Sequence, residues 1–111
     1  MSRGHDRERA VVAYLGDRDW LAFRAPASLG VADVVALRDG SRSRLVEVKS
    51  TAQGPYERFG PAERAKLAGA AALAGAEAWL AWWPPRGQLR WIAEQEWPEH
   101  RWPARAPDSS G

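Results

Sequence analysis

Two acids and a lysine, Asp33, Glu47 and Lys49, are the residues whose types and spacing could do chemistry. They lie on two short runs rich in Val and Leu, Ala32 to Leu37 and Ser43 to Lys49. The residues between the runs, Arg38-Asp39-Gly40-Ser41-Arg42, are turn formers, so the segment reads as a β-hairpin. Side chains alternate along a strand, which sets Asp33, Val35 and Leu37 on one face and Val34 and Ala36 on the other. Leu45, Glu47 and Lys49 alternate in the same way with Arg44, Val46 and Val48. With Asp33 opposite Glu47, their Cβ atoms stand about 5 Å apart, and Lys49 emerges one step further along the same face. Register decides whether this happens. A two-residue turn at Asp39-Gly40 would set Asp33 against Val46 and send the carboxylates to opposite faces, whereas a three- or five-residue loop, or a bulge, restores the cluster. An odd-length loop or a bulge is therefore expected.

Two carboxylates held this close repel unless a proton, a cation or a metal offsets the charge. Lys49 offsets part of it, and a hard cation such as Mg²⁺, which prefers oxygen ligands, could offset the rest. Spacing alone leaves two readings level: a metal site, or a salt-bridged pair on a solvated strand face.

Composition narrows the chemistry. There are no cysteines, which removes disulfides, thiolate metal sites and cysteine nucleophiles. The two histidines, His5 and His100, sit near the two ends of the sequence, so neither a histidine-rich metal site nor a Ser-His-Asp triad is expected. No apolar run approaches membrane-spanning length, and residues 2–7 lack the apolar core of a signal peptide, so a cytoplasmic protein is expected, with no membrane partner. The net charge is +2 and the positive charge is nearly all arginine. Arginine suits phosphate forks, although a GC-rich genome favours it too.

The elements that must position the cluster follow in order. Val11, Val12 and Leu15 recur at helical spacing and Gly16 supplies a stop, so Arg7 to Leu15 reads as a helix. Glu8 lies on or beside its apolar stripe and is either a first-turn acid favoured by the helix dipole or a carboxylate reaching the acidic cluster. Trp20 to Arg24 reads as a first strand, and the loop from Ala25 to Gly30 leads to Asp33. Ser28 on that loop is a turn hydroxyl that could also face a phosphate. Both faces of the hairpin are apolar away from the acids, so the sheet is expected to be covered on both sides.

Thr51 to Gly60 reads as a loop with Tyr56 and Arg58 as possible nucleic-acid contacts. Pro61 suits a first helical position, and Ala62 to Ala74 an alanine-rich helix closed by Gly75, with Arg64 and Lys66 in solvent. Glu77 to Trp83 and Gln88 to Ala93 read as a second hairpin around Pro84-Pro85-Arg86-Gly87. Its tryptophans, Trp79, Trp82, Trp83 and Trp91, fit core or subunit-interface packing better than base stacking. One domain is expected over residues 1–97, followed by a Pro-rich segment, 98–111, partly disordered. The order αβββαββ implies an α/β sandwich with a central mixed sheet flanked by helices.

These residues carry a resemblance. The sequence resembles the PD-(D/E)XK nuclease superfamily and, within it, the archaeal-type Holliday junction resolvases and their viral relatives. Gly4-His5-Asp6-Arg7-Glu8-Arg9 is similar to that family's opening helix with its glutamate. The segment from Arg24 to Ala36 is similar to its R-x-P-x-S…D-(I/V)-V-A stretch, and Leu45 to Thr51 to its E-x-K-(S/T)-T strand. The likeness covers about the first two thirds of the chain. Ala32 stands where the superfamily's name has proline, and only Lys66 of the second helix is transferable.

The resemblance implies a restriction-endonuclease-like fold and a Mg²⁺-dependent DNA endonuclease, with Mn²⁺ as a substitute. It assigns Asp33 and Glu47, with the Val48 carbonyl, as metal ligands, and Glu8 to complete the acidic site. Lys49 would act on water and on developing charge, and Ser28 would sit beside the scissile phosphate. Arg3, Arg7, Arg9, Arg24, Arg58 and Lys66 are the candidates for DNA contact, which would be salt-dependent and largely sequence-independent. Two symmetric nicks in a four-way junction imply a homodimer, acting in recombination and repair, in the cytoplasm or, for a viral member, the host cytoplasm. Another nuclease of the superfamily, or a non-catalytic binding module of the same fold, is the alternative.

Overall fold

Short Val- and Leu-rich runs bounded by turn formers pair into strands because their branched side chains fill a pleated surface on both faces. In the computed structural model, which describes residues 3–26 and 30–101, five such runs make one mixed sheet. Helix α1 (Arg3–Gly16) leads to strands β1 (Leu21–Arg24), β2 (Val34–Leu37) and β3 (Arg44–Ser50). Helix α2 (Pro61–Ala74) then crosses to β4 (Glu77–Trp83) and β5 (Arg90–Ala93), and a 3₁₀ turn (Glu94–Glu96) precedes the short helix α3 (Pro98–Arg101). The strands lie in the order β1-β2-β3-β4-β5. Only β3 and β4 run parallel, because α2 carries the chain back across the sheet between them.

The hairpin register is the one that the acids need. Val34 pairs with Val46, Val35 with Leu45 and Ala36 with Arg44. Carried one step on, this sets Leu37 against Ser43 and leaves residues 38–42, an odd number, in the loop. The ladder stops at Val34, however. Asp33 lies in a bend and its N–H donates to the Val46 carbonyl at 2.9 Å, so Asp33 is not the cross-strand partner of Glu47 in a regular ladder.

Each face of the sheet carries a core. Val11 and Leu15 of α1 pack with Trp20, Val34, Ala36, Val46 and Ala81. On the opposite face Leu67 and Ala71 of α2 pack with Phe59, Ala78, Leu80 and Trp97. Helix α2 begins at Pro61, where a missing N–H does no harm, and ends at Gly75 in the left-handed region (φ 66°), whose N–H reaches the carbonyls of Ala71 and Ala72.

Four expectations need correction. The sheet is not covered on both sides throughout: α2 lies over β3 and β4, leaving Leu21, Phe23 and Leu37 of β1 and β2 exposed. Helix α1 starts at Arg3 rather than Arg7, so Glu8 lies past the first turn and the dipole reading of it fails. Arg64 is not in solvent: only 6% exposed, it pairs with Glu99 of α3 at 2.7 Å and donates to the Phe59 carbonyl. Three strands are also shorter than expected, beginning at Leu21, Val34 and Arg90. The tryptophans pack: Trp79 meets Trp91 edge to face, Trp91 meets Tyr14, and the buried Trp97 meets Phe59 at right angles.

Candidate active site

A strand puts alternate residues on one side, so β3 alone brings Glu47 and Lys49 together: Lys49 Nζ stands 3.2 Å from Glu47 Oε2. Asp33 arrives through the bend that precedes β2. Where the ladder stops, the Val48 N–H would lose its strand partner, and Asp33 Oδ2 accepts it at 2.8 Å. The Asp33 carbonyl in turn accepts the Ala25 N–H at 2.8 Å, so the loop after β1 and the middle of β3 both fix this aspartate. Glu8 comes from α1 and receives Arg24 Nε of β1 at 2.9 Å. Asp33, Glu47, Glu8, Arg24 and His5 line one cleft of about 350 Å³.

The electrostatics of this cleft are those of a site short of positive charge. Burial is the main cause that raises the Asp33 pKa; the Val48 N–H lowers it, Glu8 raises it, and Lys49 and Arg24 lower it. Burial also dominates at Glu47, which is pushed up to about 7, with the Asp33 charge adding to it and Lys49 pulling back. The ion pair with Lys49 therefore does not compensate Glu47: loss of water and a neighbouring carboxylate outweigh one partly exposed ammonium. A solvated salt bridge would leave Glu47 low, so the bland reading of E-x-K does not describe this strand.

Hard oxygen donors that resist ionisation fit a divalent cation, which would relieve both burial and repulsion. Asp33 and Glu47 are the residues that could hold it. Among the described residues no three acidic or histidine side chains converge closely enough to hold a metal by themselves. Glu8 lines the cleft with its carboxylate turned to Arg24.

Ser28 lies outside the described residues. Val48, expected to offer its carbonyl, is seen to donate its N–H to Asp33. Arg3 is the first residue of α1. Arg7 stacks over the Trp83 ring at 4.7 Å, and Arg9 pairs with Asp6 at 3.3 Å. Arg58 and Lys66 are exposed and do not line the acidic cleft. His5 was missed, yet its place three residues before Glu8 on a helix puts both on one face, a signal that the sequence contained. Arg64 and Glu99 were missed as a pair, and nothing in local spacing links residues that far apart.

Three comparisons bear on this geometry. The family model described as archaeal Holliday junction resolvase (Hjc) matches residues 1–101. The 1.6 Å structure of Archaeoglobus fulgidus Hjc, a Holliday junction resolvase from an archaeal hyperthermophile, is similar to this chain. The two share 30% identity and a TM-score of 0.73, over 85% of this chain and 75% of that one. No curated protein matches.

Proposed function

We propose a function from one premise: this chain belongs to the archaeal Holliday junction resolvase family. It is a metal-dependent, structure-selective DNA endonuclease that hydrolyses phosphodiester bonds in four-way junctions. The observation that carries this reading is the pairing of two half-buried carboxylates, Asp33 and Glu47, both raised in pKa, with a lysine two residues along the same strand. A protein that only bound DNA would gain nothing from crowded acids that repel the phosphates.

Asp33, Glu47 and Glu8 would hold Mg²⁺, or Mn²⁺ in its place, which would supply an activated water and neutralise charge at the phosphate. The chain's own residues do the rest. The Val48 N–H and the loop after β1 hold Asp33 in one orientation. Lys49 places a positive charge beside Glu47, where it stabilises the charge that develops on the phosphoryl oxygens. Arg24 keeps Glu8 at the cleft, and its remaining N–H donors are available to a backbone phosphate. Ser28, five residues before Asp33 in the sequence, is assigned to the same site by family resemblance alone.

Two symmetric nicks need two sites related by a two-fold axis, so the working form is a homodimer. The exposed apolar side chains Leu21, Phe23 and Leu37 on the sheet and Leu73 on α2 are the surfaces available to it. The test offers the purified protein a four-way junction and a matched linear duplex, with Mg²⁺ or with EDTA. Paired nicks in the junction alone, lost in Glu47→Ala while junction binding persists, are expected. Equal cutting of both substrates would make it a general nuclease, and binding without metal-dependent cutting would make it a binding module.

A further inference from the structure

A second cleft, of about 340 Å³, opens at the carboxyl ends of the parallel strands β3 and β4. Arg7, Ser50, Thr51, Trp83 and Arg86 line it, with no carboxylate among its lining residues. Its position relative to the acids follows from the chain. Arg7 precedes Glu8 in α1, and Ser50 follows Lys49 in β3; in each pair one residue serves the acidic site and its neighbour lines this cleft. Side chains alternate along β3, so Ser50 shares the α1 face of the sheet with Trp83, whereas Glu47 and Lys49 take the opposite face with Leu80 and Trp82; the second cleft lies at the same end of β3 as the acids, on its α1 side.

The chemistry of the two clefts is opposite. The first is short of positive charge and the second is short of negative charge. Arg7 lays its guanidinium on the Trp83 ring, a contact that uses the flat face and leaves the N–H edge free to donate. Arg86 projects from a tight turn in which the Gly87 N–H meets the Pro84 carbonyl at 3.1 Å, and its own φ is 56°, in the left-handed region. Neither arginine forms an ion pair among the described residues, whereas Arg9, Arg24, Arg44 and Arg64 each hold a carboxylate. Two unpaired guanidiniums with an exposed hydroxyl and no acid between them suit a phosphate oxygen, which accepts from both forks.

We propose that this second cleft seats a backbone phosphate of the junction other than the scissile one, held by Arg7 and Arg86 as positioning residues. The proposal rests on the nuclease reading and adds to it a second phosphate site. Arg86, from the β4–β5 turn, and Trp83, as the platform for Arg7, thereby join the DNA-binding surface. Arg90, stacked over Trp82 on β5, does not line this cleft and serves as the control.

The test uses the full chain with Arg86→Gly, which suits the left-handed backbone, Arg7→Ala, the double variant and Arg90→Ala. Junction affinity is measured in EDTA across a salt series, and nicking is measured with Mg²⁺. Each cleft substitution is expected to weaken binding about tenfold at low salt, and to flatten the slope of log affinity against log salt by about 0.9. KM should rise more than kcat falls, and Arg90→Ala should match the wild type. A neutral methylphosphonate, placed in turn at each phosphate around the cut, should at one position weaken the wild type and leave the double variant unaffected. Wild-type affinity and slope in the double variant, or equal methylphosphonate sensitivity in both, overturns the proposal while leaving the nuclease reading intact. A wild-type protein that neither binds nor cuts DNA overturns both.

Discussion

Glu47 is held where its charged form is least welcome, with little water, Asp33 beside it and only Lys49 to offset them. Its pKa in the folded chain, about 7, lies above the 4.5 of a free glutamate, so the native state keeps a proton that the unfolded state has already lost. The sign follows: the stability linked to this proton is fully present below about pH 4.5 and is lost as pH rises through 7. Asp33, raised for the same first reason, adds in the same direction. The metal-free protein should therefore lose stability of order 2 kcal/mol between pH 5 and pH 8, and Glu47→Gln should flatten that profile in thermal melts while abolishing nicking. If the variant melts with the wild-type pH dependence, burial at Glu47 has been misjudged. Protons would compete with a cation held by the same carboxylates, so Mg²⁺ should raise the melting temperature at pH 8 and have little effect at pH 5.

Among the elements, α2 and α3 show how a distant segment secures the loop that follows the catalytic strand. Arg64 of α2 is buried, donates to the Phe59 carbonyl and to both oxygens of Glu99, and faces the Tyr56 ring. Glu99, half exposed, has its pKa lowered chiefly by the Arg64 hydrogen bonds. The pair ties α3 and the 51–60 loop to α2, and that loop leaves β3 after Ser50, next to Lys49 in the chain, and carries Arg58. Arg64→Met should cost about 2 kcal/mol in chemical denaturation and speed hydrogen exchange in residues 52–59. A loss of stability with unchanged exchange there would confine the role of Arg64 to packing α3. Little of this was legible in advance, because an arginine on an alanine-rich helix looks solvated until the partner that buries it is known.

At the scale of the whole molecule, exposed apolar side chains and a reaction that needs two nicks point to association. Sedimentation should give twice the 12.3 kDa of the chain. Of Phe23→Lys on the open sheet face and Leu73→Lys on α2, one should shift that mass to a monomer with melting little changed, since both side chains are already exposed. A monomer that still makes paired nicks would remove the dimer from the mechanism. What the amino-acid order determined alone was whatever depends on short-range geometry. The pleat puts Glu47 and Lys49 on one side, residues 38–42 make an odd loop, and Pro61 and Gly75 bound α2. Only the tertiary structure decided that Asp33 leaves the ladder to accept the Val48 N–H, that Glu8 meets Arg24, that Arg64 is buried against Glu99 and that Arg7 meets Trp83. The reason is physical: strand and helix periods act over a few residues, whereas burial and charge pairing depend on which distant elements the two cores bring together.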